Sequence, residues 1–277
     1  MRIAVTGANG RLGRAFLAAV PDGHVVSAFA RSDLDVRRYE EVGERLVPLA
    51  PEVIMHFAAM TSVDSCEDDP QQAAETNVLG SFNVAAAARR TGALLVTIST
   101  DYVFDGEKGA PYDEWDTPAP LSLYAWTKYA GEGAAAALAP DHVIVRTAWV
   151  FGSGDDFMSD AIRRLRAGQE VGGIVDQVGS PTHVAHLAER LLPVVRSGVR
   201  GVVHLAGPEA TTWHDLLVRA KLLGGLPGEV VPQKADELGR PAPRPADSSL
   251  VSEVLPGTEV PPMPPLDVAI RRVLADV

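Results

Sequence analysis

Residues 6–13 read Thr6-Gly7-Ala8-Asn9-Gly10-Arg11-Leu12-Gly13 and join a short apolar run to a longer amphipathic run. The apolar run predicts a β-strand and the amphipathic run a helix, so the glycines lie in a strand-to-helix turn. Gly7 permits a tight turn, Gly10 lets a pyrophosphate approach the backbone, and Gly13 lets helix and strand pack closely. The free amides of the helix N-terminus would face the phosphates. This turn predicts a dinucleotide contact through Gly7, Asn9, Gly10, Arg11, Leu12 and Gly13.

Strand and helix patterns alternate on the C-terminal side of this turn, through the first half of the chain. Predicted strands cover 2–6, 24–30, 53–57, 93–99 and 142–147, and predicted helices cover 11–20, 36–47, 70–90 and 122–138. The strands are apolar without strict alternation, as burial on both faces requires. Because alternation at this spacing indicates βαβ units, we predict an α/β protein with a Rossmann-type doubly wound parallel sheet.

The pattern becomes less regular after about residue 150. Predicted elements there are helices over 157–167 and 183–195, a strand over 202–205, a helix beginning at Thr212, an irregular proline-rich segment over 241–265 and a last helix over 266–274. The helix at Thr212 is indicated by a capping-box spacing to Asp215. We expect residues 1–150 to form an NAD(P)-binding Rossmann domain, joined by returning segments of the C-terminal half. Residues 151–277 would form mainly a smaller substrate-binding lobe.

Bulk composition limits the classes of partner. The 277 residues carry a net charge of −11, which argues against nucleic acid as the main partner because phosphate binding needs a basic surface. Cys66 is the single cysteine, so no intramolecular disulfide can form, which fits a reducing compartment. No secretory segment or bilayer-spanning run is recognisable, so we expect a cytoplasmic protein without a membrane partner.

The end of the second predicted strand bears on the choice between NAD and NADP. An acidic residue at this point would hold the ribose 2′-hydroxyl of NAD. The chain instead has Arg31, which could meet the 2′-phosphate of NADP, and Ser32, which could add a donor. Asp35 is a candidate for the adenine side. We therefore expect NADP rather than NAD, with a solvated loop arginine as the alternative interpretation of Arg31.

Tyr124 and Lys128 are spaced i, i+4 near the start of the fourth predicted helix, so both side chains lie on one face. A phenol with a pKa of about 10 is a weak acid unless a nearby cation stabilises the phenolate. Lys128 can supply that charge and can hydrogen-bond a nicotinamide ribose. The pair is also common by chance, as a surface tyrosine beside a surface lysine.

Hydroxyl and carboxylate side chains follow the fourth predicted strand. Ser99, Thr100 and Asp101 come at its end, and the carboxyl ends of parallel strands line the ligand crevice. Thr100 would therefore hydrogen-bond a carbonyl oxygen that Tyr124 protonates. The glycine turn, the strand end and the Tyr124–Lys128 pair occur in the order that such a site requires, so we predict Tyr124, Lys128 and Thr100 as catalytic residues.

Several motifs in order extend this pattern over nearly the whole chain. They are the glycine turn, Ala58-Ala59-x-Thr61-x-Val63-Asp64, Asn77, Ser99-Thr100-Asp101-Tyr102-Val103-Phe104-Asp105-Gly106, Tyr124-x-x-x-Lys128, Arg146-Thr147-Ala148-Trp149-Val150-Phe151-Gly152, Asp176-Gln177-x-Gly179-x-Pro181-Thr182 and Arg244-Pro245-x-x-Ser248-x-Leu250. The chain resembles the dTDP-4-dehydrorhamnose reductase family of extended short-chain dehydrogenases/reductases. The string from Ser99 to Gly106 is specific, whereas the glycines and the Tyr124–Lys128 spacing are shared by all extended members.

The resemblance implies NADPH-dependent reduction of the C4 keto group of a nucleotide-linked 4-keto-6-deoxy sugar, with dTDP-4-dehydro-L-rhamnose as the first candidate. Tyr124 would donate the proton, Lys128 would tune it and hold the ribose, and Thr100 would orient the keto oxygen. Further implied cofactor contacts are Ala58, Ala59, Asn77 and Ser99, and implied substrate contacts are Val63, Thr100, Asp101, Trp149 and Arg244. For Arg244, contact with the substrate diphosphate and a structural loop salt bridge are equal alternatives.

The chain departs from the family pattern at four positions. His56-Phe57 stands where the family usually has Asn-Ala, Ala125 follows Tyr124 where the family usually has glycine, and Trp126 is bulkier than expected beside the tyrosine. We expect Phe57, Trp126 and Trp149 to decide the substrate. Some family members bind Mg²⁺ at a dimer contact, but the carboxylates for it are not identifiable in this sequence. His183, His186 and Glu189 have no recognised metal-site spacing, so no metal site is predicted.

Three alternative functions follow from the same motifs. A dehydratase usually has Thr-Asp-Glu at this strand end, and Tyr102 in place of the glutamate disfavours it. A nucleotide-sugar epimerase would regenerate its cofactor rather than consume it. A regulatory subunit similar to the β subunit of methionine adenosyltransferase would bind NADP without reducing a sugar. The sequence is compatible with a homodimer but contains no feature that decides the oligomeric state.

Overall fold

The computed structural model describes residues 1–277. The strands are β1 (Arg2–Thr6), β2 (Val25–Phe29), β3 (Val53–His56), β4 (Leu94–Thr100), β5 (His142–Thr147), β6 (Val150–Phe151), β7 (Glu170–Ile174), β8 (Val178–Gly179), β9 (Thr182–His183), β10 (Gly201–His204), β11 (Thr211–Thr212) and β12 (Glu229–Gln233). The α-helices are α1 (Arg11–Ala19), α2 (Tyr39–Leu46), α3 (Val63–Asp68), α4 (Pro70–Ala74), α5 (Gly80–Thr91), α6 (Leu123–Leu138), α7 (Phe157–Arg166), α8 (Val184–Arg196), α9 (Trp213–Gly224) and α10 (Leu266–Asp276).

Six parallel strands form the central sheet, in the order β10-β5-β4-β3-β1-β2. The chain runs outward from β1 to β2 and then returns to β3 on the other side of β1. Strand order therefore reverses between β1 and β3, and a crevice opens at the carboxyl ends of strands at such a reversal. This arrangement confirms the predicted Rossmann-type doubly wound sheet.

Apolar residues on both faces of the sheet explain why its strands do not alternate apolar with polar. Ile3 and Val5 face a core completed by Phe16 of α1 and Leu187 of α8. Ala4 faces the opposite core, which α2, α5 and α6 cover. Each strand thus buries successive residues on opposite sides, which is the condition for a parallel sheet with helices on both faces.

Most predicted elements occur within a residue or two of their predicted bounds. The predicted helix 70–90 is one continuous rod in which Glu75–Leu79 forms a π-helical turn between α4 and α5. Thr212 caps α9 by accepting a hydrogen bond from the Asp215 amide, as the capping-box spacing predicted. The proline-rich segment lacks regular strands and helices beyond isolated bridges.

The second half contributes both to the large sheet and to a separate core. Strand β10 pairs with β5 at the edge of the large sheet, and helix α8 packs against the same sheet. A further core is built from residues between Phe151 and Val273, under the parallel pair β7 and β12. None of the helices has the length and apolar composition that crossing a lipid bilayer would require.

A buried ion pair fixes helix α6 to the sheet. Arg146 of β5 donates from Nε and Nη2 to the two carboxylate oxygens of Glu132, at 2.9 and 2.7 Å. Both side chains are at most 5% exposed, and Glu132 follows Lys128 by one helical turn. Because bidentate pairing offsets the desolvation of both charges, the pair holds the helix that carries Tyr124 and Lys128.

We expect Glu132→Ala to lower the free energy of unfolding by about 3 kcal/mol, because the variant leaves the Arg146 guanidinium buried and unpaired. Urea denaturation followed by circular dichroism measures this loss. The exposed Arg200–Asp141 pair provides the control, since Asp141→Ala removes a surface ion pair that contributes little. Equal losses in the two variants would contradict the role assigned to the buried pair.

Candidate active site

The glycine turn after β1 leaves no room for side chains where a phosphate would approach. Gly7 has φ +72°, and a Cβ there would lie 2.5 Å from the Ala58 amide nitrogen. A Cβ on Gly13 would lie 2.3 Å from the Gly7 carbonyl oxygen. Gly10 caps α1 without a side-chain hydrogen bond, and the first helical turn contains no acidic residue. The first amides of α1 therefore remain available to an anion, and the turn fits a dinucleotide.

Two adjoining hollows of about 470 and 270 Å³ lie against this turn, and together we call them the cofactor cleft. Asn9, Gly10, Phe57 and Ala59 line both hollows. The cleft is also lined by predicted cofactor residues Gly7, Arg11, Leu12, Gly13, Arg31, Asp35, Ala58, Ser99, Tyr124 and Lys128. The fold thus brings together residues from the ends of β1, β2, β3 and β4 with two residues of α6.

The smaller hollow is lined by two arginines, Arg31 and Arg37, and by the carboxylate of Asp35. Arg37 donates to Asp35 from Nη2 at 2.6 Å and from Nε at 2.9 Å, and this pairing holds the pKa of Asp35 below its usual range. Arg31 also lines the hollow and bonds no carboxylate. Both Asp35 oxygens therefore accept hydrogen bonds from Arg37. The position of Arg37 in the hollow was not predicted, because nothing in its sequence spacing marks it as a ligand.

Ser32 was predicted to donate a hydrogen bond to the cofactor, but it lies outside the cofactor cleft. Its hydroxyl donates to Asp33 Oδ1 at 3.3 Å, and the exposed residue lines neither hollow. The turn after β2 directs Arg31 into the cleft and the next residue outward. Ser32 is therefore not positioned as a donor to the cofactor in this structure.

Asn77 was also predicted to contact the cofactor, but its amide is used within the protein. It lies in the π-helical turn and is 1% exposed. Its Oδ1 accepts from the Met60 amide at 2.8 Å, and its Nδ2 donates to the Met60 carbonyl and to Thr127 Oγ1, each at 3.0 Å. Asn77 thus holds the loop after β3 against helix α6.

Tyr124 lies where the cofactor cleft meets a second pocket of about 250 Å³, which we call the sugar pocket. Its ring packs edge-on against Tyr102, with ring centroids 6.2 Å apart, and beside Cys66. Thr100 lines the cofactor cleft and the sugar pocket together with Tyr124. A hydride donor in the cleft and a carbonyl in the pocket would therefore meet at this phenol.

Burial governs the charge state of the Tyr124 phenol. It raises the pKa of Tyr124 well above its ordinary value, and the Asp101 carboxyl raises it further. Hydrogen bonding from Thr100 opposes both effects. The phenol therefore carries its proton at neutral pH, because burial disfavours the charged phenolate.

Lys128 is 8% exposed and bonds no acceptor within the protein. Burial lowers the pKa of Lys128 to about 8, and the charge of Glu132 opposes this change. The buried imidazole of His56 lies close by, and burial together with the Lys128 charge lowers its pKa to about 3, so it is neutral. A cation with unused donors thus lines the cleft one helical turn from Tyr124.

Aromatic side chains form one wall of the sugar pocket. Trp149 has a left-handed backbone, with φ +44°, and its ring stacks on Trp213 with centroids 4.2 Å apart and planes inclined by 7°. Phe157 meets Trp213 edge-on at 5.2 Å. Trp149, Val63 and Asp101, three of the residues expected to contact the substrate, line this pocket. Tyr102, Phe157 and Trp213 also line it and were not expected there, because only the packing of the second half onto the sheet brings Phe157 and Trp213 to this place.

Arg244 does not line the sugar pocket. Its guanidinium donates to Asp64 Oδ2 at 2.8 Å and to the Ala242 carbonyl, and its side chain is 9% exposed. Of the two alternatives open from the sequence, the structure contains the loop salt bridge. The guanidinium of Arg244 is therefore paired with Asp64 and is not assigned to the substrate diphosphate.

The residues that depart from the family pattern fall on different surfaces. Phe57 lines the cofactor cleft and packs edge-on against Phe16, with centroids 5.4 Å apart. Trp126 is 55% exposed and lines neither the cleft nor the sugar pocket. The expectation that Trp126 helps to decide the substrate is wrong, because a residue two positions after Tyr124 points to the opposite face of the helix.

The structure brings together no group of three or more His, Cys, Asp or Glu side chains suited to a metal ion. His183 instead caps α8 by accepting the Ala185 amide at Nδ1. No residues suitable for Mg²⁺ emerge from the structure, so no step of the chemistry is assigned to a metal.

Comparisons with known proteins agree with this geometry. The model of a family described as the RmlD substrate binding domain matches residues 1–277. The chain is 39% identical to dTDP-4-dehydrorhamnose reductase of Mycolicibacterium smegmatis, over 91% of this chain and 78% of that one. It is 36% identical to a probable dTDP-4,6-dihydroxy-2-methyloxan-3-one 4-ketoreductase of Streptomyces antibioticus, over 100% and 96%. The solved dTDP-4-dehydrorhamnose reductase of Bacillus anthracis in complex with NADP superposes with a TM-score of 0.95, at 32% identity over 100% and 99%.

Proposed function

Since the chain belongs to the RmlD substrate binding domain family, we propose that it reduces the C4 keto group of a nucleotide-linked 4-keto-6-deoxy sugar with NADPH. The position of Tyr124 carries this proposal, because its phenol borders both the cofactor cleft and the sugar pocket. A group that delivers a proton to a carbonyl during hydride transfer must occupy such a junction. We further propose that residues 1–150 supply most of the cofactor site and that residues 151–277 supply the far wall of the sugar pocket.

The chemistry divides between the cofactor and the protein. Bound NADPH would supply a hydride to the carbonyl carbon. Tyr124 donates the proton to the carbonyl oxygen, and its raised pKa makes the phenol a stable proton store before the reaction. Thr100 orients the same oxygen by hydrogen bonding, which favours the developing alkoxide over the ketone.

Lys128 acts on both the cofactor and Tyr124. Its ammonium group has no protein acceptor and can therefore bond the hydroxyls of the nicotinamide ribose. The same charge stabilises the phenolate that Tyr124 becomes after it gives up its proton. The glycine turn would hold the pyrophosphate of the bound cofactor through the first amides of α1.

We propose NADPH rather than NADH as the reductant because Arg31 lines the smaller hollow without an acidic partner. Arg31→Ala is expected to raise the KM for NADPH roughly tenfold to a hundredfold, the value of one charge-assisted hydrogen bond, and to leave the KM for NADH unchanged. Arg38→Ala is the matched control, since this exposed arginine lies outside the hollow. Equal losses with NADPH and NADH would count against a 2′-phosphate contact.

The sugar and its nucleotide are proposed from the relatives. dTDP-4-dehydro-L-rhamnose is the first candidate, and a related deoxysugar of the kind named for the Streptomyces relative is the second. A panel of dTDP-, UDP- and GDP-linked 4-keto sugars, followed by NADPH absorbance, tests the choice. We expect the highest kcat/KM with a dTDP sugar. A preference for UDP or GDP sugars would overturn the proposed substrate while keeping the proposed reaction.

The alternative functions make different use of the same residues. A cofactor-binding regulatory subunit has no need of a proton donor, whereas Tyr124, Thr100 and Lys128 are together in this site. An epimerase would change its sugar without net loss of NADPH. Stoichiometric NADPH oxidation therefore separates the reductase from both alternatives.

A further inference from the structure

Asp101 is a carboxyl group buried beside the reacting centre without a cation to balance its charge. It is 2% exposed and lines both the cofactor cleft and the sugar pocket. Its Oδ1 accepts from Thr100 Oγ1 at 3.0 Å, and its Oδ2 bonds Ser248 Oγ. An ionised carboxylate in this position would have only neutral hydrogen-bond donors to compensate for desolvation.

Thr100 connects this carboxyl to the phenol. Its Oγ1 accepts from the Tyr102 amide at 3.2 Å and has a single hydrogen to donate. That hydrogen goes to Asp101 in this structure and would go to the sugar oxygen during the reduction. Once Tyr124 has lost its proton, the hydrogen can go instead to the Tyr124 phenolate, because Thr100, Asp101 and Tyr124 line the same two pockets. Thr100 therefore changes its hydrogen-bonding partner during the reaction, and the protonation of Asp101 influences which partner it has afterwards.

Building on the proposed reductase activity, we propose that Asp101 stores a proton and returns it to Tyr124 through the Thr100 hydroxyl after each reduction. When Tyr124 has given its proton to the sugar oxygen, the phenolate takes the proton of Thr100 Oγ1. Thr100 takes the proton of the Asp101 carboxyl in the same step. The products are neutral Tyr124, neutral Thr100 and ionised Asp101, so protons and charge balance in this step. Asp101 then regains a proton from solvent through the pockets that it lines, which makes it ready for the next reduction.

The surroundings of Asp101 favour the protonated form that this relay requires. Burial raises the pKa of Asp101 to about 7, although hydrogen bonds from Ser248 and Thr100 oppose the change. The titratable groups close to Asp101 are Tyr124 and Tyr102. Lys128 lines the same cleft, and Arg240 and Arg244 lie on the far side of Tyr102, whose pKa they lower. No ammonium or guanidinium group bonds the carboxyl itself.

The relay acts only while Asp101 is protonated, so its contribution to kcat falls as the pH rises through about 7. Asp101→Asn keeps the shape and the hydrogen-bonding capacity but removes the exchangeable acid. We expect kcat to fall about tenfold below pH 7 with little change in KM, and the ionisation near 7 to vanish from the pH profile. The ionisation of Lys128 at higher pH would remain.

Ser248→Ala is the second variant, because it removes one donor that stabilises the carboxylate and leaves Asp101 in place. The pH at which kcat declines is expected to move upward in this variant. An unshifted profile in Ser248→Ala, or an Asp101→Asn variant that keeps the wild-type profile, would overturn the relay. A rise in KM alone for Asp101→Asn would overturn it too, because that pattern indicates sugar binding.

An infrared measurement on the protein without substrate separates this proposal from the proposed function. A carboxylic acid C=O band that is absent in Asp101→Asn and disappears as the pH rises through about 7 would support proton storage, whatever the substrate. A wild-type protein without such a band overturns the relay even if it reduces sugars. Wild-type protein with the band and no turnover of any 4-keto sugar would overturn the proposed function instead.

Discussion

Replacement of Tyr124 by phenylalanine is expected to lower kcat roughly a thousandfold or more, within the range that a positioned general acid contributes. The ring would stay in its apolar surroundings beside Cys66 and edge-on to Tyr102, so the fold and the cofactor cleft should be intact. NADPH should therefore still bind, because the glycine turn and Lys128 are unchanged. Turnover is measured by NADPH absorbance and binding by isothermal titration.

Tyr129→Phe is the matched control for this variant. Tyr129 lies on the same helix, five residues later, and its ring is 36% exposed. We expect this variant to keep wild-type kcat and cofactor affinity. Near-normal turnover by Tyr124→Phe, with the control also normal, would remove Tyr124 from the chemistry.

Lys128→Met is expected to lower kcat roughly a hundredfold and also to weaken NADPH binding, because one side chain serves the phenolate and the ribose. The methionine stem fills the same buried space but has no charge. The pKa of about 8 means that Lys128 is cationic below this pH, so wild-type activity that depends on it is lost as the pH rises through about 8. The Met variant should lack this upper decline.

Lys128→Arg distinguishes the charge from the shape. A guanidinium stays charged over the whole accessible range, so the decline near pH 8 should disappear while part of the activity remains. If Lys128→Met retained the wild-type pH profile and cofactor affinity, neither role assigned to the lysine would hold.

Local patterns in the sequence predicted the features that depend on a few consecutive residues. The bounds of β1 and β5 agree with the prediction, and so does the cap at Thr212, because apolar runs and capping residues act within one turn or strand. The short helix α3 and the parallel pair β7–β12 were not predicted. The pair joins segments about sixty residues apart, and neither strand has a strong pattern by itself.

In the candidate site, too, residues within local motifs could be predicted, whereas residues placed by tertiary packing could not. The glycine turn, Thr100, Tyr124 and Lys128 were identified because each lies at a fixed position within a motif or at a strand end. Trp213 could not be placed, since its contact with Trp149 depends on how α9 packs against the sheet. At three positions the structure shows a protein partner in place of the expected ligand contact: Asn77 bonds Met60, Ser32 bonds Asp33, and Arg244 forms the loop salt bridge to Asp64 that was the second alternative. No sequence pattern reveals which partner such a side chain will have.

The most direct test of the proposed function follows the hydride. Wild-type protein is incubated with NADPH that carries deuterium at the transferred position and with dTDP-4-dehydro-L-rhamnose, and the sugar is examined by NMR and mass spectrometry. We expect one deuterium at C4 of the product for each NADPH oxidised, and no label with Tyr124→Phe. An altered sugar without label or net NADPH loss would indicate an epimerase. An unaltered sugar, with this and every other 4-keto sugar nucleotide, would contradict the proposed reductase.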